Sequence, residues 1–282
     1  MPAHLIALDV DGTIIDYDGT LSEAVRQVLL ELAEAGHHLV ISTGRALPGA
    51  LEIVHALGLT EGYVVCSNGS VVVKLDSSLP LGWEMHHVVS FDPRSALERM
   101  REVLPSALFL VEDPDLHRWA SGAFPPGELA ESDTLDIVPF DELLDKQATR
   151  IVMRDVNGTA EDFAEAVDRL GLHEVSYSVG WSNWLDIAPD GVSKASGLAL
   201  VESELDIDHA LTVAAGDGLN DLEMIEWADH AIVMGQAKDE LKVLGSVVTD
   251  PVEDDGLAVA LVDRFDLDPA VLDTEGSTQT RP

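Results

Sequence analysis

The chain has few basic residues for its length. Its 282 residues include 16 Lys and Arg against 52 Asp and Glu, which gives a formal net charge of −36. Nucleic-acid backbones and anionic lipid surfaces would repel such a chain, so we expect neither a nucleic-acid partner nor a membrane partner. An anionic substrate would need a local centre of positive charge, from a metal ion or from a well-placed lysine, before it could bind.

Cysteine is represented by Cys66 alone, which excludes an intramolecular disulfide and favours a reducing cytoplasm. Cys66 ends the apolar stretch GYVVC, so we interpret it as a core residue rather than a nucleophile. No uninterrupted apolar run is long enough to cross a bilayer, and we expect no signal peptide before the apolar stretch of MPAHLIALD. The sequence gives no sign of an obligate protein partner.

The length predicts roughly two domains of about 150 residues each. Residues 1–83 and 188–267 alternate apolar strands with amphipathic helices, which predicts an α/β core with parallel strands and helices on both faces. Residues 84–187 interrupt that alternation and predict an inserted α+β unit. The polar residues 268–282 predict a disordered tail.

Two carboxylates follow the first predicted strand in the stretch IALDVDGTIID. Residues i and i+2 of an extended chain point to the same side, so the side chains of Asp9 and Asp11 are expected to lie close together. Two like charges at short range raise one pKa or recruit a cation. Asp11-Gly12 is equally a strong hairpin signal, so this stretch alone leaves a turn and a functional site both open.

Other polar loops also follow predicted strands or open predicted helices. In open parallel sheets ligands bind outside the carboxyl ends of the strands, so loops distant in sequence can converge there. In STGR, the hydroxyl of Thr43 can hydrogen-bond an oxyanion and Gly44 allows backbone amides close to it, whereas Arg45 could equally be a solvated helix residue. Lys194 precedes a predicted helix, where an anion is favoured; a lone lysine is otherwise a surface group. Asn68, in CSNGS, fits an ordinary type I′ turn at least as well as a ligand contact.

The loop GDGLND carries the second acidic group. Its Asp217 and Asp221, with Asp9 and an oxygen donor from Asn220, match the hard oxygen ligands that Mg²⁺ requires. The alternative is that Asp221 serves only as the N-cap of the next helix.

The motifs DVDGT, STGR, the lysine of GVSKASGL, and GDGLND stand in the order of the four motifs of the haloacid dehalogenase superfamily of phosphohydrolases. The chain resembles the Cof-like branch of that superfamily over nearly its whole length. The resemblance implies a Rossmann-like core with helices on both faces and an inserted α+β cap of type IIB. MGQA departs from the branch, which more often has Asn at Gln236, and we expect little consequence.

The resemblance also implies residue roles. Asp9 would be the nucleophile that forms an aspartyl-phosphate, and Asp11 would protonate the leaving group and then activate water. We expect the Asp9 charge to favour a protonated Asp11. The implied phosphate-binding residues are Thr43, Gly44, Lys194, Asn68 and Asn220, and the implied Mg²⁺ ligands are Asp9, Asp217, Asp221 and Asp11, the last through its backbone carbonyl.

The resulting expectation is a Mg²⁺-dependent phosphatase that acts on small phosphorylated metabolites, with sugar phosphates among the candidates. A phosphomutase of the same superfamily is a close alternative. A phosphoacceptor domain for signalling is a third, although an acid/base group beside the nucleophile promotes turnover rather than a long-lived acyl phosphate. The sequence identifies neither the substrate nor the oligomeric state.

Overall fold

The computed structural model describes residues 2–129, 134–170, 175–180 and 183–272. Its described strands form two sheets, one of eight strands and one of six. The eight-stranded sheet has the order β14-β13-β12-β1-β2-β3-β4-β5, and it is parallel from β14 to β3 and antiparallel in its last two pairs. Its strands are β1 (Leu5–Leu8), β2 (His38–Ser42), β3 (Glu61–Cys66), β4 (Val71–Asp76), β5 (Trp83–Val88), β12 (Thr212–Gly216), β13 (His230–Val233) and β14 (Val247–Val248).

Helices cover both faces of this sheet. The described helices that flank it are α1 (Glu23–Glu34), α2 (Leu47–Leu57), α6 (Lys194–Leu205), α7 (Leu222–Trp227), α8 (Asp239–Lys242) and α9 (Gly256–Phe265). One apolar cluster joins the sheet to α1, α2 and α9, and a second joins it to α6, α7 and α8. This arrangement confirms the predicted α/β class.

The second sheet has the order β10-β11-β9-β6-β7-β8 and is mostly antiparallel. Its strands are β6 (Leu108–Glu112), β7 (Arg118–Ala120), β8 (Leu135–Ile137), β9 (Arg150–Arg154), β10 (Val175–Gly180) and β11 (Trp184–Pro189), and its helices are α3 (Arg94–Val103), α4 (Phe140–Leu143) and α5 (Ala160–Leu170). An apolar cluster of its own lies between these helices and the sheet. The α+β texture predicted for the inserted segment is therefore present.

The bounds of the two units differ slightly from the predicted ones. Strand β5 pairs with β4, so the first sheet continues to Val88, beyond the predicted end of the core segment at residue 83. Strand β11 likewise continues the second sheet to Pro189. The division into a core and an inserted domain stays a prediction.

The predicted tail begins with ordered structure. Residues Pro269–Leu272 form a short 3-10 helix, and Val271 and Leu272 pack against the core cluster that contains α1. Disorder predicted from residue 268 is therefore wrong for this short segment, because its apolar side chains pack on the core. Residues 273–282 lie outside the described residues.

Two further expectations concern Cys66 and membrane-spanning segments. Cys66 is completely buried at the end of β3, and burial raises the pKa of its thiol, as expected for a core residue. Within the ranges that the structure describes, no helix is both long enough and apolar enough to span a bilayer.

Candidate active site

The polar loops lie at neighbouring strand ends. Asp9 follows β1, Thr43 follows β2, Asn68 follows β3 and Asp217 follows β12. These four strands are adjacent in the order β12-β1-β2-β3 and run parallel, so their carboxyl ends meet at one edge of the sheet. Strands β10 and β11 of the second sheet approach two turns at the same edge. The loops that the sequence singles out therefore share one site between the two sheets.

A buried lysine lies at the centre of this site. Lys194 begins α6, whose N-terminus is capped by Ser193, and only 1% of Lys194 is exposed. Its Nζ donates hydrogen bonds to Asp9 Oδ1 at 2.5 Å and to Asp221 Oδ1 at 2.6 Å. The buried charge of Lys194 therefore lies between two carboxylates at the strand ends.

Asp221 organises the loop after β12. Its Oδ1 accepts the bond from Lys194, while its Oδ2 accepts bonds from the backbone amides of Asp217 at 3.1 Å and Gly218 at 2.9 Å. Asp221 does stand at the N-cap position of α7, but its side chain makes no capping hydrogen bond to that helix. Its bonds instead fix the loop and orient the lysine.

The site contains a set of oxygen donors that fits a hard cation. Asp9, Asp217 and Asp221 each offer a carboxylate oxygen, and these oxygens lie within 4.8 Å of one another. Burial and the Asp221 charge raise the pKa of Asp9, an effect that Lys194 opposes. Burial chiefly raises the pKa of Asp217 to about 6. Carboxylates whose ionised form is disfavoured gain from a divalent cation, so these donors suit Mg²⁺.

The affinity for Mg²⁺ is expected to fall in mild acid. Metal binding requires the ionised carboxylate, and Asp217 with a pKa of about 6 is mostly protonated at pH 5. Proton competition at this one group makes the dissociation constant about tenfold larger at pH 5 than at pH 7.5. Isothermal titration calorimetry with MgCl₂ at the two pH values measures it. An unchanged constant would contradict this placement of the metal site, and Asp217→Asn should remove this part of the pH dependence.

Asp11 contacts a different cation from Asp9. Arg45 Nε donates to Asp11 Oδ2 at 2.9 Å and Arg45 Nη2 donates to Asp11 Oδ1 at 2.6 Å, and the Asp11 side chain is about half exposed. The side chains of Asp9 and Asp11 are expected to lie close together, and the structure adds that each carboxylate bonds to a cation of its own. Gly12, at φ +84°, turns the chain directly afterwards, so the stretch does contain a turn, and the site interpretation stays a prediction.

The loop after β2 and the turn after β3 are joined by backbone bonds. Thr43 is buried, its Oγ1 accepts from Arg45 N at 3.1 Å, and its carbonyl accepts from Asn68 N at 3.1 Å. Asn68 Oδ1 is buried, has no hydrogen-bond partner among the described residues, and lies 3.0 Å from where a Cβ on Gly44 would stand. Asn220 folds back over Gly218 in the loop after β12.

Three residues belong to the site although the sequence gives little signal for them. Tyr17 donates its phenolic hydrogen to Asp217 Oδ2. Gln236 Nε2 donates to the carbonyl of Gly12 at 2.6 Å, and its Oε1 accepts from Val252 N at 3.1 Å. The sequence does not distinguish Arg45 from a solvated residue, because its partner Asp11 lies 34 residues earlier. The structural role of Gln236 is larger than the sequence predicts, because it ties the Asp9 loop to a distant turn.

Replacing Gly69 is expected to disrupt the site by steric overlap. Gly69 has a φ of +100°, and a Cβ built on it would stand 2.0 Å from the carbonyl oxygen of Ser193, next to Lys194. Gly69→Ala should cost about 2–5 kcal/mol, the sum of a left-handed conformation at about 1–2 and a backbone overlap at about 1–3. Denaturant unfolding measures it. The matched control is Gly58→Ala, at φ +72° with open space around it, which should lose only about 1–2 kcal/mol. Equal losses would contradict the proposed overlap.

Known families match this chain over most of its length. A family model for haloacid dehalogenase-like hydrolases matches residues 6–84 and 122–261. The chain belongs to this family. The resemblance predicted from the four motifs is thereby confirmed, and with it the assignment of the chain as an enzyme of the hydrolase class.

Individual relatives agree with the family model. A Bacillus subtilis protein named "Putative phosphatase YkrA" is 32% identical over 267 residues, which cover 93% of this chain and 97% of the relative. A second B. subtilis protein, 5-amino-6-(5-phospho-D-ribitylamino)uracil phosphatase YitU, is 28% identical and covers 94% and 98% of the two chains. A solved structure of a HAD subclass IIB sugar phosphatase superposes with a TM-score of 0.77 at 18% identity, over 94% of this chain and all of the other. That likeness shows the fold with its cap.

Proposed function

We propose that this hydrolase is a Mg²⁺-dependent phosphatase that hydrolyses small-molecule phosphomonoesters through an aspartyl-phosphate on Asp9. The observation that carries the proposal is the buried contact of Lys194 with Asp9 and Asp221, beside a third carboxylate at metal-binding distance. Such a centre places positive charge where a phosphate dianion must approach a carboxylate nucleophile. The names of both B. subtilis relatives support a phosphatase.

The first step is a transfer of the phosphoryl group to the protein. An oxygen of Asp9 forms a bond to phosphorus while the bond from phosphorus to the ester oxygen breaks. Asp11 gives its proton to the leaving alkoxide. Both carboxylate oxygens of Asp11 bond to Arg45, so the Asp11 side chain must leave Arg45 before it reaches the substrate.

The second step returns Asp9 to its starting form. Asp11 takes a proton from water, and the oxygen of that water attacks the phosphorus of the aspartyl-phosphate. The bond from phosphorus to the Asp9 oxygen then breaks and releases inorganic phosphate. Thr43 and Lys194 hold the phosphoryl oxygens in both steps, with Asn68 at the neighbouring turn.

The proposed cation ligands are the carboxylates of Asp9 and Asp217 and the backbone carbonyl of Asp11. Asp221 stays a candidate ligand, although its bonds to Lys194 and to two amides favour a supporting position. When bound, Mg²⁺ supplies charge that offsets the repulsion between phosphate and Asp9 and stabilises the transition state.

The proposed substrates are small phosphorylated metabolites, with sugar phosphates among the first to test. The relatives' names include a phosphorylated ribitylamino-uracil and, for the solved structure, a sugar. The ribitylamino compound carries several hydroxyl groups and one phosphoryl ester, and we propose that the second sheet covers the hydroxylated part of the substrate. The single buried thiol remains consistent with the proposed cytoplasmic setting.

Phosphate release tests this function. The protein would be incubated with a panel of sugar phosphates, nucleotides and other phosphomonoesters, with MgCl₂ or with EDTA. The proposal expects release from at least one ester that EDTA abolishes. Release that requires a bisphosphate activator, with transfer back to substrate, would replace it by a phosphomutase. A stable phosphoprotein without turnover would replace it by a phosphoacceptor domain.

A further inference from the structure

A buried carboxylate of the second sheet contacts the first unit beside the phosphate loops. Glu112 ends β6 and is 1% exposed. Its Oε1 accepts a hydrogen bond from the hydroxyl of Ser67, which lies in the turn after β3. Thr149 Oγ1 also lies 3.4 Å from that oxygen. The contact thus joins two units that each have an apolar cluster of their own.

Two arginines of the second sheet offset part of the charge of Glu112. Arg118 and Arg150 stand opposite Glu112 on the two neighbouring strands. Burial raises the pKa of Glu112, and the charge of Arg150, the Ser67 hydrogen bond and the charge of Arg118 oppose that rise. The bond to Ser67 therefore stabilises the ionised carboxylate and also joins the two units.

Ser67 belongs to the strained turn after β3, which is hydrogen-bonded to the loop after β2 that carries Thr43. Its amide donates to the carbonyl of Arg45 at 2.9 Å, and the next amide, of Asn68, donates to the carbonyl of Thr43. Ser67 and Asn68 have φ values of +50° and +52°, which side-chain-bearing residues rarely adopt. Such a conformation persists only where surrounding contacts impose it.

We propose that Glu112 is a positioning residue: by accepting the Ser67 hydrogen bond it holds the strained turn, and thereby Thr43 and Asn68, in the phosphate-binding arrangement. This inference rests on the proposed phosphatase function. The phosphate-binding arrangement is then complete only when the second sheet is docked on the first unit. An open cap leaves Ser67 without its acceptor and the turn without the contact that imposes its conformation.

Strands β6 and β7 form a β-hairpin, which makes a second contact with the first unit. Leu116, at the tip between β6 and β7, has a φ of +65°, and its side chain packs partly buried against the apolar cluster of the first sheet. A leucine in this conformation is unusual in a hairpin turn, where Gly or Asn is preferred. The hairpin therefore docks on the first unit through Leu116 in its turn and through Glu112, whose pair with Arg118 adjoins that turn.

Hydrogen exchange tests the inference without any substrate. The amides of Ser67 and Asn68 would be followed in the wild type, in Ser67→Ala, in Glu112→Ala and in the double variant. Each single variant is expected to exchange about tenfold faster at these amides, and the double variant no faster than the faster single, because both remove one shared bond. Glu112→Gln keeps an acceptor oxygen and should restore exchange to within about threefold of wild type. If Glu112→Ala does not fold, Ser67→Ala and Glu112→Gln decide the inference, because only Ser67→Ala should exchange faster.

Kinetics with the best ester of the panel give the second readout. Both single variants should lose about tenfold in kcat/KM and bind inorganic phosphate more weakly, with no further loss in the double variant. The matched control is Glu128→Gln, which breaks an ion pair with Arg154 within the second unit and should change neither readout. Additive losses, or unchanged exchange in both single variants, would overturn the inference. Absence of release by the wild type would overturn only the proposed function, since the exchange experiment still decides the role of Glu112.

Discussion

Replacing Asp9 by asparagine is expected to lower phosphate release by at least about a thousandfold. The amide keeps the size of the side chain and an oxygen that accepts from Lys194 Nζ, the bond of 2.5 Å in the wild type. It lacks the anionic oxygen that attacks phosphorus, and no other described carboxylate of the site stands in its place, because Asp221 bonds to Lys194 and two amides. Steady-state release and the mass of the phosphoprotein measure both steps, and the variant should carry no phosphoryl group.

The matched control for Asp9→Asn is Asp190→Asn. Asp190 is exposed and its replacement removes the same formal charge from the chain. The control should release phosphate within about twofold of wild type, as expected for a surface substitution. If Asp9→Asn kept release within tenfold of wild type, Asp9 could not be the nucleophile.

The arrangement of the core was predictable because its determinants are local. Apolar strands such as Leu5–Leu8 alternate with amphipathic helices such as Glu23–Glu34, which begins at the side-chain cap of Ser22. Parallel strands place their carboxyl ends at one edge, so the sequence could also predict that Asp9 and Asp217 meet. Local pattern and topology were sufficient for both.

The partners of individual side chains were not predictable, because they depend on contacts between distant segments. Arg45 bonds to Asp11, 34 residues earlier, and Tyr17 bonds to Asp217, 200 residues later. Glu112 contacts Ser67 of the first unit and Thr149 of the second, and the contact with Ser67 depends on how the units dock, which no local pattern encodes. Tertiary contacts likewise decided the short strand Arg118–Ala120, whose residues pair with β6 and β8.

Replacing Lys194 by methionine is expected to destabilise the fold by about 3–5 kcal/mol at pH 8, in the absence of metal. The substitution removes the cation from Asp9 and Asp221, which are 5% and 0% exposed, and leaves two like charges buried together. Urea unfolding in EDTA measures the free energy of unfolding. The matched control is Lys238→Met, because Lys238 is exposed, and it should change stability by less than about 0.5 kcal/mol.

The loss of unfolding free energy in Lys194→Met is expected to depend on pH. Burial and Asp221 already raise the pKa of Asp9 above its unfolded value, and Lys194 is what opposes that rise. Without the lysine the pKa rises further, so the folded variant binds more protons than the unfolded chain and gains stability as pH falls. The difference in free energy of unfolding between wild type and variant should therefore be smaller at pH 5 than at pH 8. Mg²⁺ should narrow it as well at pH 8, because a cation among the carboxylates replaces part of the lost charge. A difference that stays constant with pH and with Mg²⁺ would mean that Lys194 acts through packing alone.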